Sequence, residues 1–401
     1  MPTILANGQV FIDGKLQRTD IAFDQKIQAI GKNLLGEPVD CLGKIILPGA
    51  IDVHVHFRDF NQSHKEDWQS GSHAAVRGGV TTVFDMPNND PPATTVERLQ
   101  EKRRKADASL VNGKIYGGLS AENVDQIAEI AKVVDAFKLY LGDTTGHMII
   151  SDRALQKEIV HRVAETGKVL AVHAQRGGIA PEEITAHEAK DLQYAIELSS
   201  QFKAKLHLAH VTTRAGVETI LDAKRRGLDV SFETCPQYLF FTTEERSKRG
   251  AFMKVNPPVA TAADRDFLWE ALRAGKIDMI ATDHAPHTIE EKNLGMEKAP
   301  SGLPGVEFVL PLLLDSVNAG GTSLEQLVKV CCARPAQRFG FPKGKISAGL
   351  DADLVVIDMN LRKTITRSEI ASKCGWSPYE TMTLQGWPVM TFVQGQLRFR
   401  S

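Results

Sequence analysis

Cysteine is scarce in this chain. Among 401 residues there are five, Cys41, Cys235, Cys331, Cys332 and Cys374. They are an odd number without C-x-x-C spacing, so neither a disulfide framework nor a thiolate zinc site is indicated. The adjacent Cys331 and Cys332 fall in a helical-looking stretch and read as small buried thiols. Long hydrophobic runs are also missing: no segment approaches the roughly 18 apolar residues that cross a bilayer. Met1-Pro2-Thr3-Ile4 lacks the charged-then-apolar pattern of a signal peptide, so a cytoplasmic protein without a membrane partner is expected. Nor is one charge in excess. With 48 Lys+Arg against 49 Asp+Glu the net charge is −1, which removes the electrostatic ground for a nucleic-acid partner. Gly and Pro are scattered rather than clustered, and this composition excludes a disordered chain.

The length exceeds one average domain of about 150 residues and suits a large α/β barrel with a small accessory domain. Near the start, residues 10–12 and 15–17 flank Asp13-Gly14, a dipeptide suited to a type I′ hairpin. Near the end, residues 354–357 form one apolar strand, and residues 389–393 can pair with 396–399 across Gln394-Gly395. Neither end has enough apolar residues for its own core. Residues 1–49 and 346–401 are therefore expected to form one small β-sandwich domain, with residues 50–345 inserted between them.

The inserted segment alternates strand-like runs with helical stretches. The runs cover residues 51–56, 81–85, 114–118, 136–141, 169–173, 206–210, 229–233 and 278–283, and helix candidates include 95–106, 152–166 and 215–226. Eight strands alternating with helices predict an α/β fold, a (β/α)8 barrel of the TIM type. Most of these strands carry, at or just beyond their ends, a residue able to bind metal or substrate: His54 and His56, Asn88, Lys138, His173, His210, Glu233 and Asp283. Barrel active sites lie at the C-terminal face, so such residues converge on one spot.

His54 and His56 alternate on a strand and point to the same face. An isolated H-x-H is weak, but His173, His210 and Asp283 close later strands and extend it to a metal-binding set. Lys138 interrupts an apolar strand, where an unpaired ammonium is costly to bury. An ion pair with an acid such as Glu233 removes that cost, and so does modification. A deprotonated lysine near cations can take up carbon dioxide as an anionic carbamate, which suits a site of four neutral imidazoles and one carboxylate facing two divalent ions.

His54-Val55-His56-Phe57-Arg58, Lys138 within Phe137-Lys138-Leu139-Tyr140, His173, His210 and Thr282-Asp283-His284-Ala285-Pro286-His287 resemble the cyclic amidohydrolases of the amidohydrolase superfamily. Leu47-Pro48-Gly49-Ala50 ahead of the barrel and residues 349–354 near the end carry the same resemblance, which covers most of the chain. It implies two Zn2+ ions per chain. His54, His56 and Asp283 would hold one, His173 and His210 the other, and carboxylated Lys138 would bridge them with a hydroxide. Asp283 would be the catalytic base.

Within that superfamily the chain resembles the dihydroorotases, through Arg58, Met86-Pro87-Asn88-Asn89 and His287 four residues after Asp283. The resemblance implies that Arg58, Asn88 and His287 hold the substrate carboxylate, and that Asn256 with backbone groups near Pro300 and Gly302 bonds the pyrimidine ring. Thr144, in Asp143-Thr144-Thr145-Gly146, matches the threonine of a loop that closes over substrate. It further implies reversible hydrolysis of dihydroorotate to N-carbamoyl-L-aspartate in pyrimidine synthesis, with those small molecules as partners; a homodimer is compatible with it. Independently of the family, Arg58 shares the parity of His54 and His56, and a guanidinium beside two cations calls for a ligand carboxylate. A structural pairing of Arg58 with Asp59 or Asp85 is the alternative. A hydantoinase, dihydropyrimidinase or allantoinase is the runner-up activity, and an inactive barrel scaffold is the rival of a different class. Three departures stand out: His173-Ala174-Gln175 where the family often has His-Ala-Glu, Pro236-Gln237 where it often has Pro-His, and Val259-Ala260 after Asn256-Pro257-Pro258.

Overall fold

A barrel strand covered on both faces must be apolar nearly throughout, which is why its few polar positions stand out. The computed structural model describes residues 1–142, 148–177 and 183–401. In it eight parallel strands follow one another in chain order: Ala50–Val55, Val80–Asp85, Asn112–Gly118, Ala136–Tyr140, Val169–His173, Lys205–Leu208, Val230–Thr234 and Met279–Ile280. The eighth strand spans two residues rather than the six expected, because the backbone turns to a left-handed φ of 48° at Asp283. The ring is closed beyond it by a parallel bridge between Val55 and His284, with the His56 N–H donating to the His284 carbonyl at 2.7 Å. The result is the nearly closed (β/α)8 barrel that the alternation predicts.

The helices begin where side chains can cap them. Thr95, Asp152 and Thr213 accept backbone N–H groups ahead of Val96–Asp107, Arg153–Glu165 and Arg214–Arg225, each within two residues of its expected start and end. Cys331 and Cys332 are buried in a π-helical turn, Lys329–Ala333. Among the described residues no helix is long and apolar enough to cross a membrane.

Both ends of the chain contribute strands to one six-stranded sheet, ordered Gln396–Arg400, Thr383–Val393, Leu354–Thr364, Ile45–Pro48, Gln9–Ile12, Lys15–Arg18. A second sheet of four strands lies within residues 3–40. A shared core of Leu5, Val10, Phe23, Ile46, Leu354, Val356 and Phe392 fills the space against them. The tips of both hairpins have the expected backbone, with positive φ at Asp13 and Gly14 and at Gln394 and Gly395. Where this region meets the barrel, Gly49 is required for space: a Cβ there would lie 2.2 Å from Thr81 Oγ1.

Candidate active site

Asp52, His54 and His56 occupy alternate positions of the first barrel strand and its extension. Asp52 accepts the His54 N–H and the Thr282 hydroxyl, at 3.1 and 2.6 Å, and so ties the first strand to the segment carrying Asp283. The Asp283 carboxylate then lies 3.2 Å from His54 Nε2 and 3.0 Å from His56 Nε2. The three side chains bring buried ligand atoms within 4.8 Å of one another. Across the cavity His173 Nδ1 and His210 Nε2 are 2.8 Å apart, and the His210 ring is 5.4 Å from that of His54. Arg58, His210 and Asp283 all hold left-handed φ angles, between 43 and 54°. Such backbone is costly for residues other than glycine and persists where surrounding contacts enforce it.

Electrostatics favour the ligating form of His56, His173 and His210. Burial pulls His56 and His173 down to about 3, with Lys138 adding to the effect at His173, and burial with the neighbouring His173 and Lys138 holds His210 well below its ordinary value. All three are therefore neutral near pH 7, as metal ligands must be. His54 Nδ1 contacts Glu233, and His56 Nδ1 lies 2.7 Å from Asn88 Oδ1. These contacts turn both Nε2 atoms towards Asp283, the arrangement by which carboxylates and amides orient ligating imidazoles. Burial raises Glu233, but His54 and His207 beside it prevail and keep it ionised.

Lys138 is fully buried, and burial pulls its ammonium down to about 8 against the opposing charges of Glu233 and Asp283. Glu233 does not pair with it, being engaged by His54 and by His207 Nε2 at 2.9 Å. Lys138 Nζ, His173 Nε2 and His210 Nδ1 are buried without a hydrogen-bond partner among the described residues. Buried polar atoms rarely stay unpartnered. Three orphaned nitrogens facing a carboxylate and neutral imidazoles are a donor set that fits divalent cations.

The other half of the cavity is cationic. Arg58 is 3% exposed; its Nε donates to the Pro286 carbonyl at 3.1 Å, and Nη2 lies 2.9 Å from His287 Nε2. Its structural pairing with Asp59 or Asp85 does not form, because Asp59 takes Lys105 at 2.8 Å and Asp85 takes Lys102 at 2.7 Å. The guanidinium thus faces the cavity among Asn88, Tyr140, Asn256 and Ser301, in a space of about 150 Å³. That is below the roughly 300–1,000 Å³ of a drug-sized site and matches a single small ring.

His287 and Pro300 stand behind this wall rather than in it. His287 Nε2 lies 3.1 Å from the Ser301 carbonyl besides its contact with Arg58. In the segment expected to give ring contacts, Pro300 to Gly302, several backbone groups have partners within the protein. Lys292 Nζ donates to both carbonyls, at 3.0 and 3.1 Å, and the Gly302 N–H donates to the Lys254 carbonyl at 3.0 Å. Buried backbone groups need such partners, and these fix the segment beside the cavity, which Asn256, Ser301 and Gly302 line. Thr144 lies outside the described residues.

Sequence reasoning passed over Lys102, Lys292 and Glu188. Lys102 lies at the helical spacing of buried Leu99 and Ala106, and a lysine within an apolar stripe is a legible signal. It joins Asp85, Asn89 Oδ1 at 2.8 Å and the Met86 carbonyl, while Asp85 also accepts the Phe57 N–H at 2.6 Å. The pair therefore fixes the segments bearing Asn88 and Arg58. Lys102→Met is expected to lower stability by about 3–5 kcal/mol by stranding Asp85. In urea the midpoint should fall at an unchanged slope; an unshifted midpoint would mean the pair is dispensable.

Comparison with known proteins follows this geometry. Residues 45–398 match the Amidohydrolase family. The chain is 38% identical to a dihydroorotase of Halobacterium salinarum over 96% of its own length and 94% of the relative's. It is 34% identical to an L-hydantoinase of Paenarthrobacter aurescens, covering 96% and 91% of the two chains. Among solved structures, the L-hydantoinase from Arthrobacter aurescens superposes with a TM-score of 0.94 at 31% identity, covering 99% of this chain and 96% of that one. The dihydropyrimidinase from Brevibacillus agri gives a TM-score of 0.91 at 25% identity, covering 100% and 95%. With its barrel, its clustered histidines and Asp283, and this match over most of its length, the chain belongs to the amidohydrolase family, in the cyclic amidohydrolase group.

Proposed function

We propose that this chain is a dihydroorotase, which reversibly hydrolyses (S)-dihydroorotate to N-carbamoyl-L-aspartate. The observation that carries the reading is Arg58: a buried guanidinium with no carboxylate partner among the described residues, two residues beyond His56 and facing the same cavity. Burying such a charge is unfavourable unless an anion meets it. Dihydroorotate supplies one on the ring that is opened, whereas dihydrouracil and hydantoin do not. The relative from Halobacterium salinarum is named a dihydroorotase. Hydrolysis of a carboxylate-free ring is the second reading, favoured by the L-hydantoinase similarity.

Two zinc ions would be held by His54, His56, Asp283, His173, His210 and a carbamate on Lys138, and when bound they would supply Lewis acidity and lower the pKa of water. The protein's own contribution is positional. Arg58 and Asn88 take the substrate carboxylate, Asn256 and Ser301 align the ring, and the remaining wall excludes bulk water. Asp283 accepts a proton from the attacking water as its oxygen bonds to the ring carbonyl carbon. It then passes that proton to the leaving nitrogen as the C–N bond breaks. His287 holds Arg58 from behind. Five buried, unpaired cysteines suit a reducing cytoplasm.

The test is ring opening by the zinc-replete protein with dihydroorotate and dihydrouracil side by side. A preference of about 100-fold or more for dihydroorotate is expected, worth nearly 3 kcal/mol. Preference for dihydrouracil would overturn the substrate and leave the site chemistry standing.

A further inference from the structure

We propose that Gln175 and Glu188 are positioning residues that set the relation of His173 to His210 and so govern the second metal position. The inference rests on the two-metal reading above. It begins from one buried carboxylate, Glu188, and the donors gathered around it.

Glu188 is fully buried on the helix Ile184–Ser200. Its Oε1 accepts Gln175 Nε2 and the Thr212 N–H, each at 3.0 Å, and its Oε2 accepts the Thr213 N–H and hydroxyl at 2.7 and 2.6 Å. Gln175 lies two residues past His173, and Thr212 two residues past His210. One carboxylate therefore fastens together the segments that leave two neighbouring strands, immediately beyond the two histidines. A turn further along the same helix, Asp191 accepts the Arg176 N–H at 3.1 Å and holds the first segment from a second point. Gly216 completes the fit, since a Cβ there would lie 2.6 Å from Glu188 Oε2.

Every group facing Glu188 in these contacts is a donor, so only a carboxylate satisfies them all. An amide at 188 would turn N–H groups against N–H groups, and an acid at 175 would place two carboxylates in contact. Either change pushes the segments apart. The consequence falls on His210, whose φ of 43° must be imposed by its surroundings. His54, His56 and Asp283 come from other strands and make none of these contacts with Glu188; Glu233, which meets both the His210 N–H and His54 Nδ1, links His54 to His210.

The experiment compares Glu188→Gln, Gln175→Glu and the milder Gly216→Ala with the wild type, all as full chains. Zinc per chain is measured by mass spectrometry after equilibration in graded zinc buffers, with circular dichroism recording the fold. The wild type should hold two zinc ions. Each variant should keep one ion and bind the other roughly 10–100-fold more weakly, the usual cost of losing an outer partner of metal ligands, at an unchanged spectrum. The double variant Gln175→Glu/Glu188→Gln, which restores a donor facing an acceptor, should recover part of the second ion. Variants that bind both ions as tightly as the wild type would overturn the inference, as would loss of both ions in step with loss of fold. A wild type that never exceeds one ion would instead refute the two-metal reading, and this inference with it.

Discussion

Asp283→Asn is expected to yield a folded protein that opens the ring roughly 10⁴-fold more slowly, the range of a lost general base compounded by a lost ligand. Burial pushes the Asp283 carboxyl up, but His54 and His56 at its oxygens prevail and hold it below its ordinary value. It is thus an ionised base throughout the neutral range. Asparagine has the same shape and can still contact the two imidazoles, so the left-handed turn and the barrel closure should survive. What it cannot do is accept a proton. Turnover and kcat/KM should fall together, because the missing interaction belongs to the transition state. Steady-state kinetics beside a thermal melt is the check. A variant within tenfold of the wild type would remove Asp283 from the chemistry.

The features legible in the sequence share a physical cause. Strands covered on both faces read as contiguous apolar runs, so His54, His56, Lys138, His173 and Asp283 interrupt them visibly, and strand alternation fixes which way they point. These five side chains line one cavity of the fold. The supports of that cavity are not visible in this way. Glu188 meets Gln175 across 13 residues of sequence and Thr213 across 25, and nothing local to a helix announces such a partner. The same holds for Lys292, whose three carbonyl acceptors come from segments around Lys254 and Pro300–Gly302. The loop motif 298–305 was visible, but which of its groups were already bonded within the protein was not. The short eighth strand was hidden for a related reason: its apolar pattern runs on to Ala281, while a backbone torsion two residues later ends the pairing.

Arg58→Met carries the other large effect, and its value lies in two readouts moving in opposite directions. Losing a buried charge contact with the substrate carboxylate costs about 2–5 kcal/mol, so kcat/KM for dihydroorotate should fall by roughly 30- to 4,000-fold. Dihydrouracil offers nothing for the guanidinium to hold, so its hydrolysis should fall much less and the preference between the rings should collapse. Stability should behave otherwise. In the free protein Arg58 is a buried cation whose contacts are a carbonyl and an imidazole, and burial depresses its pKa despite Asp283 and Asp85 nearby. Methionine fills a similar volume without a charge to desolvate, a kind of exchange that is often neutral or stabilising. The variant should melt at or above the wild-type temperature while losing its substrate. A residue kept for packing would show the reverse: a lower melting temperature and an equal loss for both rings. Stability forgone in the empty enzyme and regained when an anion binds is what a recognition residue costs, and Arg58 is the residue in this cavity placed to show it.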